Sequence, residues 1–233
     1  MTTDAPVDKR KAIIDALMRL AATRAWSEIE ITDIAQEAGV SLAEFRDLFP
    51  SKGAVLGGLS RRIDRKVLEE TTDDLAGEPA RERIFDVIMR RFDALEPYKA
   101  ALRRIYRDLQ YDPLPLAALH QVTVNSMRFM LAAAGVSTEG PLGTLKLQGA
   151  VLVYANTMRT WLEDDDPALA KTMARLDREL RRGERVLEGA DDLRRLTAPF
   201  RALGRALMEG RRSVRRERRD TNEGDADNPA AAI

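Results

Sequence analysis

The stretch that decides the fold is "ITDIAQEAGVSLAEFRDLFPSK", residues 31–52. Apolar residues recur at helical spacing on both sides of Gly39, and glycine favours the left-handed conformation that ends a helix. Ser41 precedes the second apolar run and has Glu44 three positions later, which is the pattern of a capping box. Pro50 disfavours helical geometry in the residue before it. The stretch therefore predicts two short helices joined by a tight turn.

Helical patterns continue on either side of this stretch, and almost no strand pattern is present. A first amphipathic helix is expected from Lys11 to just before Trp26, and Thr32 is expected to cap the second helix. Ser51 can cap a long fourth helix that runs to about Asp74. Proline and glycine separate further expected helices at about 79–94, 98–110, 114–134, 141–163, 168–188 and 191–212. The predicted fold class is all-α.

Composition limits the function classes. Lys plus Arg and Asp plus Glu both number 38, so no overall field attracts the chain to a polyanion. The chain has no cysteine, which excludes thiolate metal sites and fits a reducing compartment. Its start is polar, and its most apolar run, residues 149–155, is far shorter than the roughly 20 residues that span a bilayer. We expect a cytoplasmic protein.

The segment "WSEIEITDIAQEAGVSLAEFRDLFPSK", residues 26–52, resembles the N-terminal module of the TetR family of transcriptional regulators. The resemblance covers residues 8–60 and implies a helix-turn-helix unit whose second helix enters the major groove. It implies a DNA-binding domain over residues 1–60 and a helical ligand-binding and dimerisation domain over residues 61–212. Residues 213–233 are expected to form a basic, then polar, disordered tail. The implied function is a ligand-responsive repressor.

The same resemblance assigns the contacts with double-stranded DNA. Lys52 matches the family lysine that touches backbone phosphate, and the hydroxyls of Thr32 and Ser41 can bond phosphate as well as cap. The predicted DNA-binding residues are Thr32, Ser41, Leu42, Ala43, Glu44, Arg46 and Lys52. An apolar core is expected from Ile31, Ile34, Ala35, Val40, Phe45, Leu48 and Phe49.

Carboxylates on the second helix are a difficulty for DNA binding. Residues 8–60 hold seven Lys and Arg against eight Asp and Glu, whereas phosphate neutralisation supplies most affinity for DNA. Glu44 is acceptable if it serves its capping box and Asp47 faces away from the groove. Otherwise the acids indicate a retained fold that has lost DNA binding.

A ligand pocket is predicted in the C-terminal part of the chain. Residues 145–162 are apolar nearly all round, as in a helix buried inside a bundle. The candidate residues for a small apolar ligand are Met127, Met130, Gly149, Tyr154, Met158 and Trp161. Ordinary core packing explains the same residues. A homodimer is expected through the last two helices, roughly residues 168–210.

An alternative function comes from the C-terminal end. Residues 194–219 contain ten arginines interleaved with leucines and Phe200, so a helix over residues 193–219 can lie on an anionic membrane surface. The segment "QGAVLVYANTMRTWLEDDDPALAKTMARLDREL", residues 148–180, also resembles the TetR-fold accessory proteins of ubiquinone biosynthesis. That resemblance implies a lipid-binding, membrane-associated protein without DNA binding. A solvated arginine face on a dimer helix is the competing interpretation.

Catalysis is not expected. His120 is the single histidine, and no nucleophile pattern accompanies it. The acidic run "EDDDP", residues 163–167, lies in a turn where consecutive carboxylates diverge and cap the next helix. We therefore predict no catalytic residues, no metal site and no cofactor.

Overall fold

A computed structural model describes residues 8–71, 74–109, 113–140, 142–187 and 189 of the chain. Every regular element in these ranges is helical, as the sequence predicts. The α-helices are α1 (Lys9–Thr23), α2 (Ile31–Ala38), α3 (Leu42–Leu48), α4 (Lys52–Glu69), α5 (Ala80–Leu95), α6 (Lys99–Leu109), α7 (Pro113–Ala133), α8 (Gly143–Glu163) and α9 (170–187). Short 3-10 turns precede α2 at Trp26–Glu28 and α6 at Glu96–Tyr98.

Two predicted helix ends are wrong. Thr32 does not cap α2, because the helix begins at Ile31 and its extended N-cap residue is Glu30, two positions before Thr32. The Asp33 carboxylate accepts a hydrogen bond from the Glu30 backbone N–H at 3.0 Å, so the first turn is closed without a threonine. The fourth helix ends at Glu69 rather than at about Asp74. The Ser51 cap is confirmed, since its hydroxyl accepts from the Ala54 N–H at 3.2 Å.

Contacts divide the chain into two units, Met1–Glu184 and Arg185–Ile233. The N-terminal and C-terminal parts of the first unit are held together because both pack on helix α4. Val55 and Leu59 are buried near the start of α4, and Ile63 and Val67 are buried towards its end. Helix α4 packs against α1 as well as against α5 and α7. One continuous helix therefore belongs to both parts.

The core of the N-terminal module is mostly the predicted one. Phe45 and Phe49 are fully buried, with ring centroids 6.3 Å apart. Gly58 lets α4 approach this pair, because a Cβ atom there would lie 2.7 Å from the Phe49 ring. Ile31 departs from the prediction and is 38% exposed as the first residue of α2. Ile34 and Ala35, one turn later, face the core.

Helix α8 is not buried all round, which corrects the prediction for residues 145–162. Leu145 and Leu152 are 40% and 61% exposed, although Val151 and Trp161 are buried. Helix α8 packs against α6 and α7, and it also meets Phe92 of α5 and Glu179 of α9, yet Leu145 and Leu152 stay uncovered. No helix in the described part of the chain combines the length and the apolar character needed to span a bilayer.

Three predictions fall outside the described residues. They are the helix at 191–212, the membrane-binding segment at 193–219 and the tail at 213–233.

Candidate nucleic-acid interface and ligand site

The turn between α2 and α3 is built by Gly39. Its φ of 66° places it in the left-handed region, where a side chain would be strained. The Val40 N–H then donates to the Ala35 carbonyl at 3.0 Å and closes the end of α2. The predicted helix-turn-helix is therefore present, with its geometry set by one glycine.

Glu44 is held inside the module in two ways. Its carboxylate accepts from the Ser41 N–H at 2.8 Å, and the Ser41 hydroxyl accepts from the Glu44 N–H at 3.2 Å, so the predicted capping box is confirmed. The other Glu44 oxygen pairs with the Lys9 ammonium of α1 at 2.6 Å. The hydrogen bond from Lys9 and then the bonds from Ser41 lower the Glu44 pKa to about 2.

Three other acids of the module are also paired within the protein. Three ion pairs account for them: Glu37 with Arg19 at 2.7 Å, Asp33 with Arg24 at 2.9 Å, and Asp15 with Arg62 at 2.8 Å. Within the described residues, Lys11 and Arg46 are exposed and belong to no ion pair. Four of the eight acids of residues 8–60 are therefore bound in ion pairs, while Lys11 and Arg46 stay available.

Some of the residues predicted to read DNA are exposed together on one side of the module. Leu42 is 53% exposed, and Ala43 and Arg46 are exposed on the same short helix, α3. Thr32 and Ser41 are exposed at the beginnings of α2 and α3. Glu44 is turned to Lys9 and Ser41, as described above. Asp47 is exposed beside Arg46, so one carboxylate remains on this surface.

Lys52 has a structural role that the sequence did not indicate. Its ammonium donates to the carbonyls of Trp26 and Ile29 at 2.5 and 2.6 Å and lies 4.4 Å from the Trp26 ring centroid. Partial burial lowers its pKa, and Asp33 and Glu30 oppose that shift. An ammonium has three donors, so two are occupied by these carbonyls. Lys52 ties α4 to the turn before α2.

Two residues near α3 were missed by the sequence analysis. Lys9 neutralises Glu44, and the guanidinium of Arg10 lies 4.8 Å from the Phe49 ring centroid. Lys9 and Glu44 are 35 positions apart, and no local pattern connects them. Only the packing of α1 against α2 and α4, the helices before and after α3, brings this cation to that carboxylate.

The predicted ligand residues are only partly assembled. Tyr154 and Trp161 both stack on Phe92 of α5, with ring centroids 5.4 and 5.3 Å away. Met127 and Met130 of α7 are buried, and Met158 is half-buried. Gly149 lies on α8 between the exposed Leu145 and Leu152, and an added Cβ would meet no atom within 4 Å. Gly149 therefore faces away from the aromatic cluster.

A polar network lies beside that cluster. The Arg91 guanidinium of α5 forms a short ion pair with Asp64 of α4 and donates to the Ser60 hydroxyl at 3.1 Å and the Tyr154 hydroxyl at 3.3 Å. The Ser126 hydroxyl of α7 donates to Asp64 at 2.7 Å. All five residues are buried, and burial raises the Tyr154 pKa. Four helices therefore meet at one charged pair.

The Trp161 indole is the buried donor that this network leaves out. Its side chain is fully buried, and its Nε1–H has no hydrogen-bond partner among the described residues. Buried polar groups are nearly always paired with protein or water. The indole N–H is therefore available to an acceptor that enters the aromatic cluster.

Two cavities of the described residues lie elsewhere. One of about 530 Å³ lies between the end of α4, the first half of α5 and the end of α7, and Thr71, Arg83, Val87, Arg90 and Ala134 contribute to its wall. A second, of about 360 Å³, lies at the end of α7 around Phe129 and Val136. Neither is lined by any of the six predicted ligand residues, because aromatic rings and the polar network fill the space among them.

The acidic run at 163–167 caps the next helix, as predicted. Asp164 accepts from the Thr172 N–H at 2.9 Å and from its hydroxyl at 2.7 Å, which holds the first turn of α9. Asp165 instead pairs with Arg103 of α6 at 2.6 Å. These neighbouring carboxylates therefore point to different partners.

Known proteins resemble this architecture in three dimensions. The crystal structure of a TetR transcriptional regulator from Nitrosomonas europaea superposes with a TM-score of 0.60 and 24% identity over 75% of this chain and 97% of that chain. A TetR regulator from Rhodococcus sp. RHA1 gives a TM-score of 0.56 and 17% identity over 75% and 94%. The sequence matches no protein-family profile and no curated protein. The protein is all-α and has the fold of the TetR transcriptional regulators.

Proposed function

We propose that this protein is a DNA-binding transcriptional regulator of the TetR type, a repressor that responds to a small apolar ligand. The observation that carries the proposal is the exposed face of α3. Arg46 is exposed there and belongs to no ion pair among the described residues, while the Glu44 carboxylate is bound by Lys9 and Ser41. An exposed arginine on the second helix of a helix-turn-helix can pair bidentately with guanine.

The domain division follows from this role. Residues 1–60 act as the DNA-binding domain and residues 61–212 as the ligand and dimer domain, with α4 shared between them. Three contacts support a mechanical connection between the two. The Trp26 N–H donates to Asp108 of α6 at 2.7 Å, and Arg62 of α4 joins Asp15 of α1 to the Tyr98 hydroxyl.

A homodimer presents two copies of α3 to DNA. The apolar side chains that support this assembly are Leu145 and Leu152 on α8 and Met173 on α9, all exposed in the single chain. Leu145 and Leu152 are seven residues apart and so lie on one helix face. A two-fold axis through this face would bury them against a second copy.

The ligand site is proposed at the Phe92, Tyr154 and Trp161 cluster, whose stacked rings must separate to admit a ligand because the space among them is filled. The unpaired indole N–H of Trp161 and the stacked rings suit a ligand with an apolar body and one acceptor. The neighbouring cavity of about 530 Å³ has the size of a small-molecule site and gives an approach along α5. Such a ligand acts on DNA binding only if it favours one position of α4 over another.

The experiment is selection of DNA from random fragments at about 0.15 M salt. At this physiological ionic strength, interactions between exposed charges are screened as they are in the cell. We expect a recurring two-fold symmetric motif. Arg46→Glu should abolish its recovery, whereas the matched control Arg128→Glu, an exposed arginine on α7, should not. Random recovery by the wild-type protein, or equal loss in both variants, would refute the proposed regulator.

A further inference from the structure

We propose that the buried ion pair of Asp64 and Arg91 is a latch that holds α4 in one position against α5, α7 and α8. This inference rests on the proposed function only in naming what the latch regulates, the helix that leads from the helix-turn-helix. Its test is therefore made first on protein without DNA.

The contacts of the pair show why it fixes a position. Arg91 is 4% exposed and uses three nitrogens, one each towards Asp64, Ser60 and Tyr154. Asp64 accepts in addition from the Ser126 hydroxyl. A guanidinium presents its donors in a planar fork, so these partners are satisfied together in one arrangement of the helices. Sliding or rotating α4 would break several bonds at once.

Stability alone does not account for such a pair. Removing two charges from water costs about as much as their attraction returns, and apolar residues of similar volume often replace a buried ion pair without loss. Apolar contacts, however, have no required direction and tolerate small shifts of a helix. The pair is therefore better suited to defining where α4 lies than to holding the fold together.

Displacement of the pair would be transmitted to the DNA-binding module. If either charge lost its partner, the other would stay buried and uncompensated until α4 moved. Val55 and Leu59, on the same helix, are packed into the module core beside Phe45 and Phe49. A shift of α4 at Asp64 therefore moves the support on which α3 rests.

The cavity of about 530 Å³ lies one to two helical turns from this latch along α5 and α7. It is bounded by the same three helices, with Val87 one turn before Arg91 on α5 and Thr71 just after the end of α4. Ala133 and Ala134 lie two turns after Ser126 at the end of α7. A molecule in the cavity would press on three of the four helices that the latch joins.

The test removes both charges and measures the position of α4. The variant is Asp64→Leu with Arg91→Met, and the control is Asp177→Asn with Arg181→Gln, an ion pair within α9. The chain has no cysteine, so Arg65→Cys on α4 and Asn125→Cys on α7, both exposed, can carry spin labels without background. Pulsed electron resonance then reports the distance between the two helices.

We expect the charge-free variant to unfold within about 4 °C of wild type. Its label distance should broaden or shift by at least about 1.5 Å, the rise of one helical residue, while the control keeps the wild-type distribution. An unchanged distribution would overturn the latch, whether or not the unfolding temperature falls.

Two milder variants decide the matter if the charge-free protein does not fold. Ser126→Ala and Tyr154→Phe each remove one hydroxyl from the network and leave both charges in place, so each should broaden the distance distribution to a smaller degree. If both variants keep a distance distribution as narrow as that of the wild-type protein, the proposal is overturned. DNA titration is the last measurement, with at least a tenfold change of affinity expected in the charge-free variant only. A wild-type protein that binds no DNA would refute the regulator and leave the distance result intact.

Discussion

Lys9 of α1 neutralises Glu44 of α3 through an ion pair of 2.6 Å that crosses the helix-turn-helix. The carboxylate that stood against DNA binding in the sequence is thus bound by a cation from another helix and by the Ser41 N–H. A paired and capped glutamate repels phosphate less than a free one.

Lys9→Gln should weaken DNA binding by about fivefold, since an unpaired carboxylate near a phosphate costs on the order of 1 kcal/mol in water. Measured affinity for a selected DNA site provides the check. Adding Glu44→Gln should restore most of the loss, because no carboxylate is then left to repel DNA. If the double variant binds as weakly as Lys9→Gln alone, Lys9 acts by touching phosphate itself.

The stability of the module should depend on pH through Glu44. Its pKa is lowered from 4.5 to about 2, so its ionised form stabilises the folded state. This contribution is complete above pH 4.5 and is lost as the pH falls through about 2. Chemical unfolding should therefore show wild type more stable than Glu44→Gln above pH 4.5, with the two converging near pH 2. A constant difference over that range would contradict the assignment.

Lys52→Met should lower the stability of the protein by roughly 1–2 kcal/mol, because two backbone carbonyls lose a charged donor. Thermal unfolding measures the effect, and Lys11→Met, at an exposed lysine without an ion pair among the described residues, is the matched control. If Lys52→Met weakens binding to all DNA sequences but leaves the unfolding temperature unchanged, its main role is phosphate contact.

Arg46→Ala should relax sequence preference as well as reduce affinity, because a bidentate arginine discriminates bases by about 1–3 kcal/mol. Competition between selected and random DNA separates the two effects. Equal losses on both kinds of DNA would show that Arg46 contacts phosphate only.

Leu152→Glu should weaken the dimer by about 30-fold or more, as a charge at a buried apolar contact costs upwards of 2 kcal/mol. Light scattering across a dilution series gives the dissociation constant. Leu116→Glu, at an exposed leucine of α7, is the control and should leave assembly unchanged. A monomeric wild-type protein at micromolar concentration would remove the predicted homodimer.

The sequence by itself determined the local features of this protein. The Gly39 turn and the capping box of Ser41 and Glu44 are set by residues within a few positions of one another, and both agree with the structure. The Thr32 cap failed for an equally local reason, since Asp33 already closes the first turn of α2 through the Glu30 N–H.

Only the tertiary structure decided which charges meet. Lys9 reaches Glu44 across 35 positions, and Arg91 reaches Asp64 across 27, because α1 packs on α2, which contacts α3, and α5 packs on α4. Pairing at such separations depends on how the helices pack, and no periodicity or local motif encodes it. For the same reason Gly149, which the sequence predicted at a ligand pocket, lies on the uncovered side of α8, while the space among Phe92, Tyr154 and Trp161 is filled.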